Sequence, residues 1–189
     1  MPSPRDILNL YKIACRKQLS QNMLLDNKIA SKLVRTGKKV KNSYVVEVGP
    51  GAGSLTRCIL QQNSLHCAVI EKDPRFLPSL NMLREVVGSN KMSIHLGDIL
   101  HFNMSDILPH SLSLPWQDPR TPQIHIVGNL PFNVATPLIF KWLKDISLKQ
   151  NAWKYGRVSM TLTLQDEVAK STTAKSGDLK FRLVISFFS

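Results

Sequence analysis

The chain has 189 residues, of which 43% are hydrophobic, and 25 Lys and Arg against 13 Asp and Glu give it a formal net charge of +12. This length allows one sizeable hydrophobic core and is short for two, so we expect one folded domain. Three cysteines without a Cys-x-x-Cys pair and five histidines without a metal-binding spacing argue against a disulfide framework and against a metal site. No apolar run is long enough to span a bilayer, so we expect no membrane insertion.

The positive charge is unevenly distributed. Residues 1–46 carry 10 basic and 2 acidic residues, whereas residues 47–140 carry 6 and 7. Segregated positive charge is typical of proteins that bind a polyanion, nucleic acid first and an anionic membrane surface second. A solvated basic face explains the same pattern equally well.

The N-terminus carries the signals of a helix start. Ser3 can cap a helix, Pro4 suits its first position and Asp6 completes a capping box, so we expect a helix to about Arg16. Residues 1–18 form a basic segment that is typical both of organelle targeting segments and of ordinary surface helices. We therefore separate it from a folded domain over residues 19–189.

Short strands then alternate with helices. Asp26 can cap a second helix, with Ala30, Leu33 and Val34 on one face and Gly37 as its stop. Helices are also predicted from Ser54, from Pro74 and over 135–146, and the strands over 44–48, 66–70, 92–96, 124–127, 157–165 and 181–188. This alternation predicts a Rossmann-like α/β fold, a mostly parallel twisted sheet with helices on both faces. The proline-rich stretch 100–122 is predicted to be a surface insertion.

A glycine-rich loop, EVGPGAG (47–53), follows the first strand and opens a helix. Gly49, Gly51 and Gly53 make G-x-G-x-G, whereas the dinucleotide fingerprint is G-x-G-x-x-G. Pro50 has no N–H, which removes a donor from any phosphate cradle. The loop therefore indicates a ligand without a pyrophosphate and disfavours a nicotinamide-dependent oxidoreductase; a purely structural turn is the alternative.

Two carboxylates stand at the ends of the next strands. Glu71 lies about twenty residues past the glycines, where a carboxylate can accept both hydroxyls of a ribose. Asp98 follows the third strand and can accept from an adenine amino group. The alternatives are a surface acid and a turn cap. Together with the loop, these residues predict a pocket for an adenosine without phosphates, and S-adenosyl-L-methionine is the common cofactor of that description.

The fourth strand runs into Asn129-Leu130-Pro131-Phe132. An adenine amine is a poor nucleophile because its lone pair is delocalised into the ring. Acceptors on its two hydrogens favour a pyramidal nitrogen, and the Asn129 side-chain oxygen and the Leu130 carbonyl are candidates. Pro131 would fix the backbone and Phe132 would stack on an unstacked base. An Asn turn followed by core residues is the alternative.

Six motifs resemble the ribosomal RNA adenine N6-dimethyltransferase family in order and spacing: QLSQNMLLD, EVGPGAGSLT, VIEKD, GDIL, GNLPFNVATPLI and QDEVA. The resemblance covers Leu19 to Val168 and is strongest to the mitochondrial branch of the family. It implies the fold of a class I S-adenosylmethionine-dependent methyltransferase. It also implies cofactor-binding roles for Gln21, Asn22, Leu24, Gly49, Gly51, Glu71, Lys72, Asp98, Ile99 and Asn129, and a target-base site at Asn129, Leu130, Pro131 and Phe132.

The resemblance further implies an activity and its setting. The substrate would be two adjacent adenosines in a hairpin loop of small-subunit rRNA, each methylated twice, on the small ribosomal subunit in the mitochondrial matrix. We expect a monomer, without the seventh strand and the C-terminal helical domain of the family. The alternative is a catalytically weak or inactive RNA-binding factor that assists ribosome assembly or the mitochondrial transcription machinery.

Overall fold

The computed structural model describes Ser3, Asp6 and Asn9 and the ranges 27–36, 40–130, 132–163 and 183–186. The predicted end of the first helix near residue 16 lies outside these residues, and the division of the chain at residue 18 stays a prediction.

The predicted helix start at Ser3 is confirmed. The Ser3 hydroxyl accepts a hydrogen bond from the Asp6 N–H at 3.2 Å, and the Asp6 carboxylate accepts one from the Ser3 N–H at 2.8 Å. In such a capping box each side chain satisfies a main-chain donor that the helix leaves without a partner. The hydrogen bonds with Ser3 also lower the pKa of Asp6.

Six strands form one sheet in the order β3-β2-β1-β4-β5-β6, and every neighbouring pair is parallel. All six predicted strands are present: β1 Tyr44–Val48, β2 His66–Glu71, β3 Met92–Leu96, β4 Ile124–Asn129, β5 Ser159–Thr163 and β6 Leu183–Ser186. The strand order reverses between β1 and β4. An open α/β sheet binds ligands outside the carboxyl ends of its strands at such a point.

Helices and apolar clusters lie on both faces of the sheet. The helices of the described ranges are α1 Asn27–Thr36, α2 Ser54–Gln61, α3 Leu77–Val87 and α4 Phe132–Ser147, with a 3₁₀ turn, Pro74–Phe76, before α3. No helix in the described part of the chain is both long and apolar enough to cross a membrane.

Successive side chains of a strand point to opposite faces, which divides the core into two clusters. Val45 of β1 packs in the cluster formed with α1, α2 and α3, whereas Val46 packs in the cluster formed with α4. The predicted inner face of α1 is confirmed, because Ala30, Leu33 and Val34 are all buried.

The stretch between β3 and β4 is better packed than predicted. Met104 and Leu108 are buried in the core on the α4 side of the sheet. The Tyr155 hydroxyl donates to the Leu108 carbonyl at 2.8 Å, and the Trp116 Nε1–H donates to the Trp153 carbonyl at 3.0 Å. The prediction of a surface insertion is therefore wrong for this part, because its apolar side chains cover that face of the sheet.

Candidate active site

The predicted site residues meet where the parallel strands end. Gly49 follows β1, Glu71 is the last residue of β2, Asp98 comes two residues after β3 and Asn129 is the last residue of β4. The register of β1 with β2 and β4, and of β2 with β3, brings these strand ends level. The edge thus lies at the reversal of strand order, where a ligand site is expected.

The glycine-rich loop has a backbone that favours glycine and an open side. Gly49 and Gly51 have φ angles of +67° and +55°, a left-handed conformation that costs other residues free energy. A Cβ atom added at either position would meet nothing within 4 Å. The Gly49 N–H donates to the Ile70 carbonyl at 3.0 Å, which ties the loop to β2. The loop therefore has room for a ligand at its surface.

Glu71 fastens this loop to the neighbouring strand. Its Oε2 accepts from the Gly51 N–H at 2.9 Å and its Oε1 accepts from the Asp73 N–H at 2.8 Å. Burial raises the pKa of Glu71, and these main-chain hydrogen bonds oppose the shift. A carboxylate oxygen has two lone pairs, so each oxygen keeps the capacity to accept a ligand hydroxyl. The structure thus assigns Glu71 a role in shaping the loop that the sequence did not predict.

Lys72 and Asp98 form an ion pair across the same edge. The Lys72 Nζ donates to the Asp98 Oδ2 at 2.7 Å, and the Leu100 N–H donates to the Asp98 Oδ1 at 3.1 Å. Partial burial raises the pKa of Asp98, but the hydrogen bond from Lys72, the Leu100 N–H and the nearby positive charges together lower it. The Ile99 side chain is buried in the core, so a ligand would contact mainly the Ile99 main chain.

Asn129 and Leu130 are held together by β5. The Thr163 hydroxyl donates to the Asn129 Oδ1 at 2.5 Å, and the Leu130 N–H donates to the Thr163 carbonyl at 3.4 Å. The Asn129 side chain is half-buried, whereas the Leu130 side chain lies in the core. Two oxygen acceptors therefore belong to consecutive residues at the end of a central strand.

The structure gives little or no information on the remaining predicted site residues. Gln21, Asn22, Leu24 and Pro131 fall outside the described residues, and Phe132 is the first residue of α4. Their roles stay predictions.

The sequence-based prediction did not include two residues near the site, Thr163 and Glu47. Thr163 contacts Asn129 across 34 residues of chain, and no local pattern signals such a contact. Glu47 is buried in β1 at 1% exposure, and burial raises the pKa of its carboxyl to about 8. An acidic residue inside the apolar run YVVEV was the available signal for Glu47.

The edge therefore combines an open glycine loop, two carboxylates at the ends of neighbouring strands and a carboxamide beside a main-chain carbonyl. These several oxygen acceptors can bind a ligand that donates hydrogen bonds from hydroxyl and amino groups. The carboxylates of Glu71 and Asp98 would repel a pyrophosphate at the same place.

The chain is similar in sequence to known proteins. A model of the family described as ribosomal RNA adenine dimethylase matches residues 13–185. The chain is 46%, 45% and 42% identical to the mitochondrial dimethyladenosine transferase 1 of Macaca fascicularis, Homo sapiens and Caenorhabditis elegans, over 177, 177 and 174 residues. These alignments cover 94%, 94% and 90% of this chain and 51%, 51% and 47% of the relatives. The chain thus spans about half the length of these curated relatives.

Solved structures share the fold. A dimethyladenosine transferase from Plasmodium falciparum matches with a TM-score of 0.55 at 23% identity, over 83% of this chain and 48% of that one. The 23S rRNA methyltransferase ErmE matches with a TM-score of 0.53 at 24% identity, over 82% of this chain and 53% of that one. These likenesses confirm the predicted Rossmann-like methyltransferase fold. Together with the match to the family model and the identity to the curated relatives, they lead to one conclusion: this chain belongs to the ribosomal RNA adenine dimethylase family.

Proposed function

We propose that this chain carries the catalytic site of an rRNA adenine N6-dimethyltransferase that takes its methyl groups from S-adenosyl-L-methionine. The observation that carries the proposal is the pair of acceptors at the end of β4. The Asn129 carboxamide oxygen and the Leu130 carbonyl belong to neighbouring residues, and Thr163 bonds directly to the first and to the N–H of Leu130. This pair lies on the same sheet edge as the open glycine loop.

The residues present fit the proposed cofactor. Gly49 and Gly51 leave open space beside the loop, which supports a place for the methionine part. Glu71 keeps lone pairs for the two ribose hydroxyls, with Lys72 beside it, and Asp98 with the Ile99 main chain would meet the adenine. When bound, S-adenosyl-L-methionine supplies a methyl group on a positively charged sulfur, which makes that carbon an electrophile.

The chain's own residues prepare the nucleophile. The Asn129 Oδ1 and the Leu130 carbonyl would each accept a hydrogen bond from the adenine amine, so that its lone pair is no longer shared with the ring. The methyl group would pass from the sulfur to the amine nitrogen, the carbon–sulfur bond breaking as the carbon–nitrogen bond forms, and the nitrogen would then release one proton to water. No strong base is required, because the amine becomes acidic once it carries the additional carbon. The protein's contribution is therefore mainly alignment of the reacting atoms.

The proposed substrate is a hairpin of small-subunit rRNA with two adjacent loop adenosines, each dimethylated in support of ribosome assembly. The net charge of +12 supports a polyanionic partner. The curated relatives are named mitochondrial, which supports a mitochondrial location, and we assign the protein to the matrix. We propose that it acts as a monomer on the small ribosomal subunit.

The experiment compares product formation with RNA binding in three proteins. Wild type, Asn129→Ala and Asn90→Ala are incubated with S-adenosyl-L-methionine and the hairpin, and N6,N6-dimethyladenosine is quantified by nucleoside mass spectrometry. Asn90 is an exposed asparagine before β3 and serves as the matched control. Fluorescence anisotropy measures hairpin affinity in the same buffer, because salt strongly changes RNA affinity.

We expect Asn129→Ala to abolish product while its hairpin affinity stays near that of wild type, and Asn90→Ala to behave as wild type in both assays. A wild-type chain that binds the hairpin but makes no dimethyladenosine would overturn the proposal. That outcome would favour the RNA-binding accessory factor instead.

A further inference from the structure

Thr163 is the last residue of β5, and it contacts both residues to which we assign the acceptor role. The sheet register pairs it with Asn129. Its hydroxyl donates to the Asn129 Oδ1 at 2.5 Å, and its carbonyl accepts from the Leu130 N–H at 3.4 Å. A single residue of the neighbouring strand thus bonds the side chain of one acceptor residue closely and the main chain of the other at a longer distance.

The hydroxyl proton of Thr163 selects one orientation of the Asn129 carboxamide. Besides the Asn129 Oδ1 at 2.5 Å, the hydroxyl faces the Gly128 carbonyl at 3.5 Å, the outer limit of a hydrogen bond. The proton therefore goes to Oδ1. If the carboxamide turned over, its NH₂ group would face the hydroxyl, and the proton would have only the long contact with Gly128. The carboxamide oxygen can accept two hydrogen bonds, so the one from Thr163 does not exclude the target amine.

The support itself is rigid. Thr163 is 7% exposed and is paired into the sheet with Asn129. Its branched Cβ restricts the side chain to few rotamers, and a buried hydroxyl without a partner costs free energy. A residue on a strand places a neighbouring group more accurately than a loop residue does.

We propose that Thr163 is a positioning residue for methyl transfer: its hydroxyl orients the Asn129 carboxamide oxygen for the target amine, and its carbonyl holds Leu130. The inference rests on the proposed function, because it assigns Asn129 and Leu130 the role of acceptors. It adds a residue that acts through these two and does not touch the substrate itself.

The chain offers a matched control on the same strand. Thr161 lies two residues before Thr163, on the same face of β5, and is 1% exposed. Its hydroxyl contacts the His125 Nε2 at 2.7 Å. Thr163→Val and Thr161→Val each replace a buried hydroxyl by a methyl of similar shape, and Thr163→Ser keeps the hydroxyl.

The first readout is steady-state methylation of the hairpin. Thr163→Val should lower kcat by about 10- to 100-fold, the range expected when a reacting group is misplaced by up to about 1 Å. The KM values for the hairpin and for S-adenosyl-L-methionine should stay near those of wild type. Thr163→Ser should restore most of the rate, and Thr161→Val should keep it. Equal kcat values for Thr163→Val and Thr161→Val would overturn the inference.

The second readout is NMR of the Asn129 side-chain NH₂ group, which needs no turnover. The ¹H–¹⁵N signals that disappear in Asn129→Ala belong to this group. Thr163→Val should move them, whereas Thr161→Val should leave them in place; signals unmoved by Thr163→Val would refute the contact. Thermal melting verifies that each variant folds, and Thr163→Ala replaces Thr163→Val in both assays if the latter does not.

The two readouts separate the inference from the proposed function. A wild-type chain without methylation activity overturns the proposed function, and with it the positioning role, while the NMR signals still report the contact. An active wild type with unchanged kcat in Thr163→Val overturns the inference alone.

Discussion

Glu47 gives the protein a pH-dependent stability that one substitution should remove. The carboxyl is 1% exposed in β1. Burial is the main cause that raises its pKa from 4.5 to about 8; Glu71 adds to the shift, and the neighbouring Thr56 opposes it. Glu47 is therefore mostly protonated in the folded chain at neutral pH.

The sign follows from proton linkage. The unfolded chain releases the Glu47 proton near pH 4.5, whereas the folded chain keeps it until about pH 8. Between these values the folded state binds more protons, so the free energy of unfolding falls as the pH rises. The fall is about 1.4 kcal/mol per pH unit, and about 5 kcal/mol over the whole interval. The stabilisation is complete below about pH 4.5 and is lost as the pH rises through about 8.

Glu47→Gln keeps the shape and removes the titration. From pH 5.5 to 7.5 we expect the free energy of unfolding of wild type to fall by about 3 kcal/mol relative to that of the variant. For a chain of this size, the melting temperature of the variant minus that of wild type should therefore rise by about 6–12 °C between these two pH values. Thermal unfolding of both proteins in matched buffers measures this difference. A difference that stays constant with pH would refute the raised pKa of the buried carboxyl.

Three other substitutions test single contacts. Gly51→Ala should lower the free energy of unfolding by about 1–2 kcal/mol through its positive φ, and Gly51→Asn by less, in urea titrations; equal costs would contradict the strain. Lys72→Ala should raise the pKa of Asp98, as followed by carbon-13 NMR of its carboxyl, and an unmoved pKa would mean that the ion pair does not form in solution. Tyr155→Phe should cost about 1–2 kcal/mol because the Leu108 carbonyl loses its donor; unchanged stability would argue against that hydrogen bond.

The sheet and the location of the site could be predicted from local sequence. The apolar runs mark the strands, and the strand ends place Gly49, Glu71, Asp98 and Asn129 at one edge, because parallel strands share the direction of their carboxyl ends. The capping box at Ser3 is also a local signal, since both of its hydrogen bonds join residues three apart.

Contacts between distant segments could not be predicted in this way. Thr163 reaches Asn129 only because β5 pairs with β4 in one register, and the sequence of β5 does not reveal that register. The Glu71 carboxylate accepts a hydrogen bond from the Gly51 N–H, and this contact depends on the turn that the loop adopts. Leu108 is buried in the core and its carbonyl accepts from the Tyr155 hydroxyl, although the prolines around it are typical of an exposed loop. Each of these unpredicted contacts depends on the packing of distant segments, which a local sequence pattern does not show.

The central claim is that this chain methylates adenine nitrogen at the end of β4. The most direct measurement uses S-adenosyl-L-methionine with a deuterated methyl group and an rRNA hairpin with two adjacent loop adenosines, followed by nucleoside mass spectrometry. The account predicts N6,N6-dimethyladenosine with both methyl groups deuterated in reactions with wild type, and none in reactions with Asn129→Ala. Unlabelled adenosine from a wild-type chain that binds both the hairpin and S-adenosyl-L-methionine would contradict it.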